Sequence, residues 1–415
     1  MLMRMGLVKT FLLGIFLVTG AANAQVRAVE NPNRTEKTLV RSPAIDAGDY
    51  VYISAQGPQR SDGAVPADFE AQASQSLENI KSILAAAGLN LENVVYVQVY
   101  LEDVNSYDRL NTVFAKYFPK TPPARAVLGV ARVLQGSIEI TAVAARDLAE
   151  RKVITPANYK STEPFSLGIL TRDRLFVSAM QGRDPKSGAV PEDPAAQTDL
   201  ALDGVKAVVE AAGLQLANMV FVNPYLTEKI PMKIMNEHYA QCFEFGNTPG
   251  RATIEVSALP HNAQIEYTGV AVRDLSLRHS IRPKNMPPSP TASPCVFAGD
   301  TLYCSAKSGF IPGPHGGVYG ATTVAQLRQT MRNQLDNLEE AGMDFSQVVY
   351  TTVYLDNLAD SDAFHKVYAQ YFKSPLPAET LLQQIASGNR TPDEEVHYPD
   401  FEQMSFIAIR PPQKK

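Results

Sequence analysis

The sequence predicts three tandem α+β domains, each a mixed sheet with two helices on one face, arranged as an internal pseudo-trimer. A helix that ends in Ala-Gly recurs three times, and its glycines, Gly88, Gly213 and Gly342, are 125 and 129 residues apart. A period of this length is that of a domain and not of a solenoid repeat. A sheet with helices on one face leaves the other face uncovered, and three similar units can cover one another.

Side-chain spacing predicts the elements of the first copy. Apolar residues recur at steps of three and four from Phe69 to Leu84, and Gly88 stands where a left-handed helix stop is expected. Asn105 or Ser106 is expected to cap the second helix. The predicted elements, in order, are a hairpin ending near Ser54-Ala55, a helix over 69–84, a strand over 94–101, a helix over 107–118, and a final hairpin of strands near 126–133 and 138–145.

The other two copies follow the same order. Ser178-Ala179 and Ser305-Ala306 match Ser54-Ala55 at the end of a strand. Pro224 interrupts the second copy's central run and predicts an edge strand or a bulge there. The predicted boundaries are a signal peptide at 1–24, an N-terminal linker at 25–36, repeats at 37–150 and 151–278, a Pro-rich linker at 279–294 and a third repeat at 295–415.

The first 24 residues are typical of a secretory signal peptide. Arg4 and Lys9 precede a short apolar run, and Ala-Asn-Ala ends at Ala24. The alternative is a membrane anchor that stays uncut, but the apolar run is short for a bilayer span. We therefore expect a periplasmic or secreted protein that has no membrane association after cleavage.

Composition excludes several classes of protein. The 415 residues are 45% apolar and 20% charged, which is ordinary for a globular protein and unlike a disordered or fibrous chain. The net charge of −5 provides no basic excess for nucleic acid. Six histidines without ligand spacing indicate no metal site.

Export permits a disulfide, and the chain has three cysteines. Gly299-Asp300 is typical of a two-residue hairpin turn, and counting outward from it places Cys295 opposite Cys304. If the pair beside the turn is hydrogen-bonded, the cysteines form a non-hydrogen-bonded pair, whose close approach suits a disulfide. Two reduced strand cysteines remain the alternative. Cys242 is expected to lie in the core.

Short motifs recur in the same order in the copies. They include Ser-Ala-Gln-Gly at Ser54, Gly-Ala-Val-Pro at Gly63 and Gly188, Asn111 before Tyr-Phe, Pro-Ala-Arg at Arg125 and Ile-Glu-Ile at Glu139. On these motifs the chain resembles the RidA/YjgF family of enamine and imine deaminases, in three tandem copies. The resemblance implies the chorismate mutase-like fold of that family, clefts between neighbouring units, and activity without a cofactor.

The resemblance also implies site residues. Arg125 and Arg251 match the arginine that holds the substrate carboxylate, and a planar guanidinium suits two carboxylate oxygens. Glu139 and Glu266 match the acid that activates water. The remaining predicted substrate-binding residues are Asn111 and Asn236. Arginine and glutamate are 14 residues apart in copy one and 15 in copy two, and this spacing suggests one working pair within each copy.

Each of these residues also has an ordinary structural interpretation. Arg125 and Arg251 follow prolines at the start of a strand, where an exposed arginine is common. Glu139 alternates with apolar neighbours, as a solvent-facing strand residue would. The copies also carry Val127 and Thr253 where the best-known deaminases have a cysteine, so the substrate is left open.

Copy three departs from the family pattern. Glu379 replaces the arginine, Gln403 stands at the acid position, and His365 stands where the asparagines lie. A carboxylate at an anion-binding position repels the expected substrate. Copy three is therefore interpreted as a structural partner, with binding of a cationic ligand as the alternative.

Two functional hypotheses follow. The first is a hydrolytic deaminase of enamines or imines of small carboxylic acids that releases a 2-oxo acid and ammonia. The second is an exported, non-catalytic binding protein for small carboxylates or aromatic acids. Either would act on a small-molecule carboxylate, and the chain is expected to be a monomer that acts as an internal trimer.

Overall fold

The computed structural model describes residues 26–32, 40–159, 162–313 and 317–411. The predicted signal peptide lies outside these residues and stays a prediction. Within the described ranges, no helix is long and apolar enough to cross a membrane.

The chain forms three similar domains. The first contains β1 (Arg27–Val29), β2 (Ala44–Asp46), β3 (Tyr50–Gln56), α1 (Phe69–Ala86), β4 (Val94–Leu101), α2 (Tyr107–Tyr117), β5 (Ala124–Gly129) and β6 (Ile138–Ala145). The second contains β7 (Lys152–Ile154), β8 (Gly168–Leu170), β9 (Arg174–Gln181), α3 (Pro194–Ala211), β10 (Met219–Leu226), α4 (Met232–Cys242), β11 (Gly250–Arg251), β12 (Ile254–Glu255) and β13 (Ile265–Val272). The third contains β14 (Arg278–Ile281), β15 (Cys295–Ala298), β16 (Thr301–Ser308), α5 (Thr323–Glu340), β17 (Val348–Leu355), α6 (Ser361–Tyr368), β18 (Ala378–Gln383) and β19 (Glu402–Ile409). Short 3-10 helices cover Leu91–Asn93, Val104–Ser106, Leu216–Asn218, Pro260–Asn262, Leu275–Leu277, Phe345–Gln347 and Leu358–Asp360.

The two helices of each domain pack on one face of its mixed sheet, as predicted. In the first domain Leu77, Ile80 and Leu84 of α1 are buried in one cluster with residues of α2 and the sheet. The side chain of Asp68 caps the start of α1 by accepting from the Ala71 N–H at 2.9 Å. Gly88 has a φ of 73° just after the helix, which confirms the expected left-handed stop.

The predicted final hairpin is wrong. The first sheet has the order β1-β2-β3-β6-β4-β5, with β6 antiparallel to both β3 and β4 and with β5 parallel to β4. A parallel pair needs a crossover, which α2 provides, and β5 then occupies the outer edge. β6 therefore returns to the centre of the sheet. The prediction followed sequence proximity, which does not determine pairing.

Pro224 lies on an interior strand, so the edge prediction is wrong for β10 itself. The neighbouring edge strand breaks opposite this proline instead, into β11 and β12. In the first domain β5 is continuous at the same place. Because proline has no N–H to donate, the ladder to the edge strand is lost at this point.

Segments expected to be linkers also form edge strands. β1 lies within 25–36 and pairs with β2, and β14 begins at Arg278 and pairs with β15 of the third sheet. The third sheet therefore starts before the Pro-rich segment. These short strands cover the backbone groups of the inner strands.

A repeated serine contact joins the domains in a pseudo-threefold ring. Each serine of the Ser-Ala pairs accepts the backbone N–H of the neighbouring domain's motif residue. The contacts are Arg125 N to Ser178 Oγ at 2.7 Å, Arg251 N to Ser305 Oγ at 2.8 Å and Glu379 N to Ser54 Oγ at 2.8 Å. The same hydroxyls donate to the carbonyls of Ser166, Ser293 and Ser42, each at 2.6 Å. The three interfaces therefore share one backbone arrangement.

The uncovered sheet faces meet on the ring's axis. Tyr100, Tyr225 and Tyr354, one from each domain, are buried in a shared cluster. Arg174 lies 4.7 Å from the Tyr50 ring centroid and donates to Thr301 Oγ1 at 2.7 Å, so it links all three domains. Burial of these faces against each other supplies the hydrophobic driving force for the ring.

The hairpin register around Gly299-Asp300 is the predicted one. Cys295 pairs with Cys304, and the structure joins them in a disulfide. Their Cα atoms are 4.0 Å apart, as in a close non-hydrogen-bonded pair. Cys242 is free and partly buried.

Candidate active site

Side chains of two domains come together at each serine contact, and we call these three places clefts 1 to 3. Cleft 1 lies between the first and second domains around Arg125, cleft 2 between the second and third around Arg251, and cleft 3 between the third and first around Glu379. Every cleft therefore combines side chains of two domains.

Arg125 is the central cation of cleft 1. It is 2% exposed, and its Nη2 donates to Asn111 Oδ1 at 2.6 Å and to Tyr107 Oη at 3.2 Å. Its guanidinium lies 4.7 Å from the Phe114 ring centroid and 5.0 Å from that of Phe165 in the second domain. Burial lowers the pKa of Arg125. Nη1 is buried without a hydrogen-bond partner among the described residues, so it can still bind an anion.

Glu266 supplies a carboxyl group to the same cleft from the second domain. Arg125 and Glu266 line one cavity of about 310 Å3. Glu266 is fully buried, and its Oε2 accepts from Gln181 Nε2 at 3.2 Å. Burial raises the pKa of Glu266 to about 8. A carboxyl that titrates near neutral pH can both donate and accept a proton.

A second carboxylate lies close to Arg125. Glu163 Oε1 is 2.9 Å from His261 Nε2, and Tyr107 Oη donates to Glu163 Oε2 at 3.1 Å. Burial acts to raise the pKa of Glu163, but the contacts with His261 and Tyr107 outweigh it and lower that pKa. Glu163 therefore belongs to the cleft's polar network, and its pKa is shifted in the opposite direction from that of Glu266.

Cleft 2 has the same frame with different chemistry. Arg251 Nη1 donates to Asn236 Oδ1 at 2.7 Å, as Arg125 does to Asn111. The cavity is about 330 Å3, and Gln403 and Lys307 of the third domain line it. Gln403 pairs with Tyr354 as Glu266 pairs with Tyr225, so an amide occupies the acid position. An amide cannot act as a general base.

Cleft 3 has its charges reversed. Glu379 Oε1 lies 2.9 Å from His365 Nε2 and 3.7 Å from Arg41 Nη1 of the first domain. Arg41 precedes Ser42 as Phe165 precedes Ser166, so it enters from the other side of the cleft. Glu139 is also here: burial, opposed by Arg41 and reinforced by Glu379, raises its pKa to about 7.

The predicted pairs within one copy are therefore separated. Arg125 shares a cleft with Glu266, Arg251 with Gln403, and Glu139 with Glu379. β4 lies between the strands that carry Arg125 and Glu139, and each strand faces a different neighbouring domain. Of the three clefts, cleft 1 alone joins an arginine of the motif to a glutamate.

Several residues of the clefts were not predicted as site residues. They are Tyr107, Glu163, His261, Lys307 and Arg41. Of these, Arg41 alone had a signal in the sequence: it precedes Ser42, as Phe165 precedes Ser166 at the matching place in the second copy. In the part of the chain that the structure describes, no group of three His, Cys, Asp or Glu residues could hold a metal ion.

A scan of protein families matches the model described as endoribonuclease L-PSP three times, at residues 35–146, 155–273 and 285–388. The chain belongs to this family. The family's unit therefore occurs once in each of the three domains, which agrees with the three sheets and with the resemblance to RidA/YjgF proteins.

Curated relatives in this family match one domain's length of the chain. A RutC family protein of Pyrococcus horikoshii is 41% identical over 26% of this chain and 86% of its own length. The 2-iminobutanoate/2-iminopropanoate deaminase of Escherichia coli is 39% identical over 25% of this chain and 84% of its own length. Among solved structures, the YjgF gene product of E. coli is 34% identical over 29% of this chain and 99% of its own, with a TM-score of 0.28.

Proposed function

We propose that cleft 1 is a hydrolytic site for enamines and imines of small carboxylic acids and releases a 2-oxo acid and ammonia. The observation that carries this proposal is the joint presence of Arg125 and Glu266 in one cavity, each with an atom free for a ligand. The E. coli relative is named a deaminase of two such imines, which supports the same reaction class.

Arg125 binds the substrate carboxylate in this proposal. Its Nη2 is held by Asn111 and Tyr107, so the guanidinium plane is fixed before the substrate arrives. Phe165 packs on the guanidinium and excludes water from one side. A desolvated, oriented arginine binds a carboxylate more strongly than an exposed one.

Glu266 moves the protons of the reaction. As a carboxylate it takes a proton from a water molecule while the water oxygen bonds to the imine carbon and the C=N π electrons move to nitrogen. The resulting carboxylic acid returns the proton to nitrogen. Glu266, again a carboxylate, takes the hydroxyl proton and delivers it to the amine nitrogen. The C–N bond breaks as the C=O bond forms, so ammonia and the 2-oxo acid leave. No cofactor enters this sequence.

The two glutamates provide a matched test. Glu266→Gln should lower the rate of ammonia release from freshly generated 2-iminopropionate by about 100-fold, since general acid–base catalysis contributes about that much or more. Glu139→Gln, in cleft 3, should leave the rate within about twofold. Spontaneous hydrolysis is subtracted with a sample that lacks protein.

A different pattern would refute the proposal. Equal loss in both variants would show that the reaction is not confined to cleft 1. No stimulated release from wild type, with carboxylates still bound through Arg125, would leave an exported binding protein as the function.

We further propose that the mature chain is exported and works as a single chain. The signal-like residues 1–24 support export, and the shared interfaces support a ring closed within one chain. Sequencing the N-terminus of protein recovered from the periplasm or medium should begin at Gln25. Light scattering of that protein should give the mass of one chain.

A further inference from the structure

We propose that cleft 2 is a binding site for small dicarboxylates and that it does not catalyse hydrolysis. The two parts of this proposal rest on different side chains of the cleft: two cations and an amide. Neither part depends on the reaction proposed for cleft 1.

Two cations line this cavity. Arg251 comes from the second domain and Lys307 from the third. Arg251 is held by Asn236 through Nη1 and lies 5.1 Å from the Tyr239 ring centroid, which leaves the rest of its guanidinium for a ligand. Burial lowers the pKa of Arg251 and that of Lys307. Two partly desolvated cations in one small cavity repel each other and favour an anion between them.

No carboxylate balances these charges. None of the cavity-lining residues is Asp or Glu, and within the described ranges neither cation forms a salt bridge. Cleft 1 differs, because its cavity is lined by three acidic residues beside three basic ones: Glu163, Asp184 and Glu266 with Arg125, Arg183 and Lys186. Cleft 2 therefore carries two unbalanced positive charges, and a ligand with one carboxylate would neutralise only one of them.

Lys307 is specific to this cleft. It pairs with Met404 in the third sheet, as Met180 pairs with Tyr267 in the second, so a lysine replaces a methionine at the same register position. Met180 lines cleft 1, where its side chain adds no charge. The two cations of cleft 2 have no carboxylate beside them in the cavity lining, whereas the cations of cleft 1 do, and this difference predicts that cleft 2 prefers a dicarboxylate.

The Pro-rich segment completes the cavity. Met286, Pro287 and Ser289 line it beside Gln403, and the volume is about 330 Å3. Small ligands occupy pockets of about this size. Gln403 can hydrogen-bond a bound carboxylate but cannot activate water, so the ligand is held without hydrolysis.

Calorimetry with two probes tests the assignment. Succinate should bind the full mature chain at least tenfold more tightly than butyrate, which carries a single carboxylate. Lys307→Met, which copies Met180, should weaken succinate at least tenfold and butyrate less than threefold. Equal succinate affinity in wild type and Lys307→Met would overturn the proposal.

Two further variants test where succinate binds, and thermal midpoints check that the variants are folded. Arg251→Gln removes the second cation of the cavity and should also weaken succinate at least tenfold, whereas Arg125→Gln in cleft 1 should not change it. Inorganic phosphate, a dianion without a carbon chain, should bind at least tenfold more weakly than succinate. Equal phosphate binding would overturn the dicarboxylate assignment, and unchanged thermal midpoints show that each variant is folded.

Discussion

Clefts 1 and 2 share a backbone frame and differ in the side chains that decide chemistry. The serine contacts are 2.7 and 2.8 Å, and the hydrogen bonds that the arginines donate to the asparagines are 2.6 and 2.7 Å. Cleft 1 has Glu266 where cleft 2 has Gln403, and cleft 2 has Lys307 where cleft 1 has Met180. An identical frame therefore does not imply an identical reaction.

The comparison also explains why one chain can hold three different clefts. In a ring of identical subunits every interface has the same residues, but here each side of each cleft is encoded separately. Cleft 3 differs most from the other two, since Glu379 lies beside His365 of its own domain and Arg41 of the first domain. These three residues join the third domain to the first, so a cleft becomes an interface contact.

The largest expected effect comes from the buried arginine of cleft 1, Arg125. Arg125→Gln keeps a polar group near Asn111 but removes the charge that binds the carboxylate. We expect kcat/KM for 2-iminopropionate to fall about 100-fold, which corresponds to about 2.7 kcal/mol of lost transition-state stabilisation. Ammonia release measured over a range of imine concentrations tests this. A loss below threefold would mean that the substrate is bound elsewhere.

The next largest expected effect is the pH dependence of catalysis in cleft 1. Burial raises the pKa of Glu266 to about 8, so its carboxylate form is the minor one at neutral pH. Because the carboxylate activates water, kcat/KM should rise about tenfold per pH unit below pH 8 and level off above it. Rates from pH 6 to 9, corrected for spontaneous hydrolysis, measure this limb. A flat profile would argue against Glu266 as the base.

The third domain differs from the second inside its core as well. Glu402 is buried, accepts from Thr330 and has Oε2 without a partner among the described residues; burial raises its pKa to about 8. Ile265 and Ala201 hold these positions in the second domain. Replacing a buried carboxyl with a well-packed apolar group is often neutral or stabilising.

The double variant Thr330→Ala with Glu402→Ile should therefore stabilise the protein by about 1–3 kcal/mol at pH 8. In the wild type, the pKa of Glu402 is higher in the folded state than in the unfolded state, where it is about 4.3. Glu402 therefore contributes its full stability to the folded state below about pH 4.3, and this contribution is lost as the pH rises to about 8. The gain should thus be larger at pH 8 than at pH 5. Urea denaturation at both values tests the sign.

The smallest expected effect tests whether the three frames are equivalent. Ser178→Ala removes the acceptor for the Arg125 N–H and the donor to the Ser166 carbonyl, and should cost about 1–3 kcal/mol. Ser54→Ala and Ser305→Ala should cost the same within about 0.5 kcal/mol, because their distances match. Denaturation midpoints of the three variants provide the comparison. A unique effect at one serine would show that the interfaces differ in their frames.

The sequence determined the local structure and the chemistry of individual positions. Periodicity predicted the two helices and the strands at 94–101 and 138–145, and the stop at Gly88, because side-chain spacing and backbone preference act within a few residues. The repeat predicted three domains, and the turn at Gly299-Asp300 predicted the register of the cysteine pair.

Only the tertiary structure decided which residues meet. β6 lies between β3 and β4 because β5 occupies the edge, and no local signal encodes that order. For the same reason Arg125, only 14 residues from Glu139, shares a cavity with Glu266 of the next domain instead. Proximity in the chain specifies backbone conformation, whereas a cleft forms where the faces of separate sheets are buried against each other.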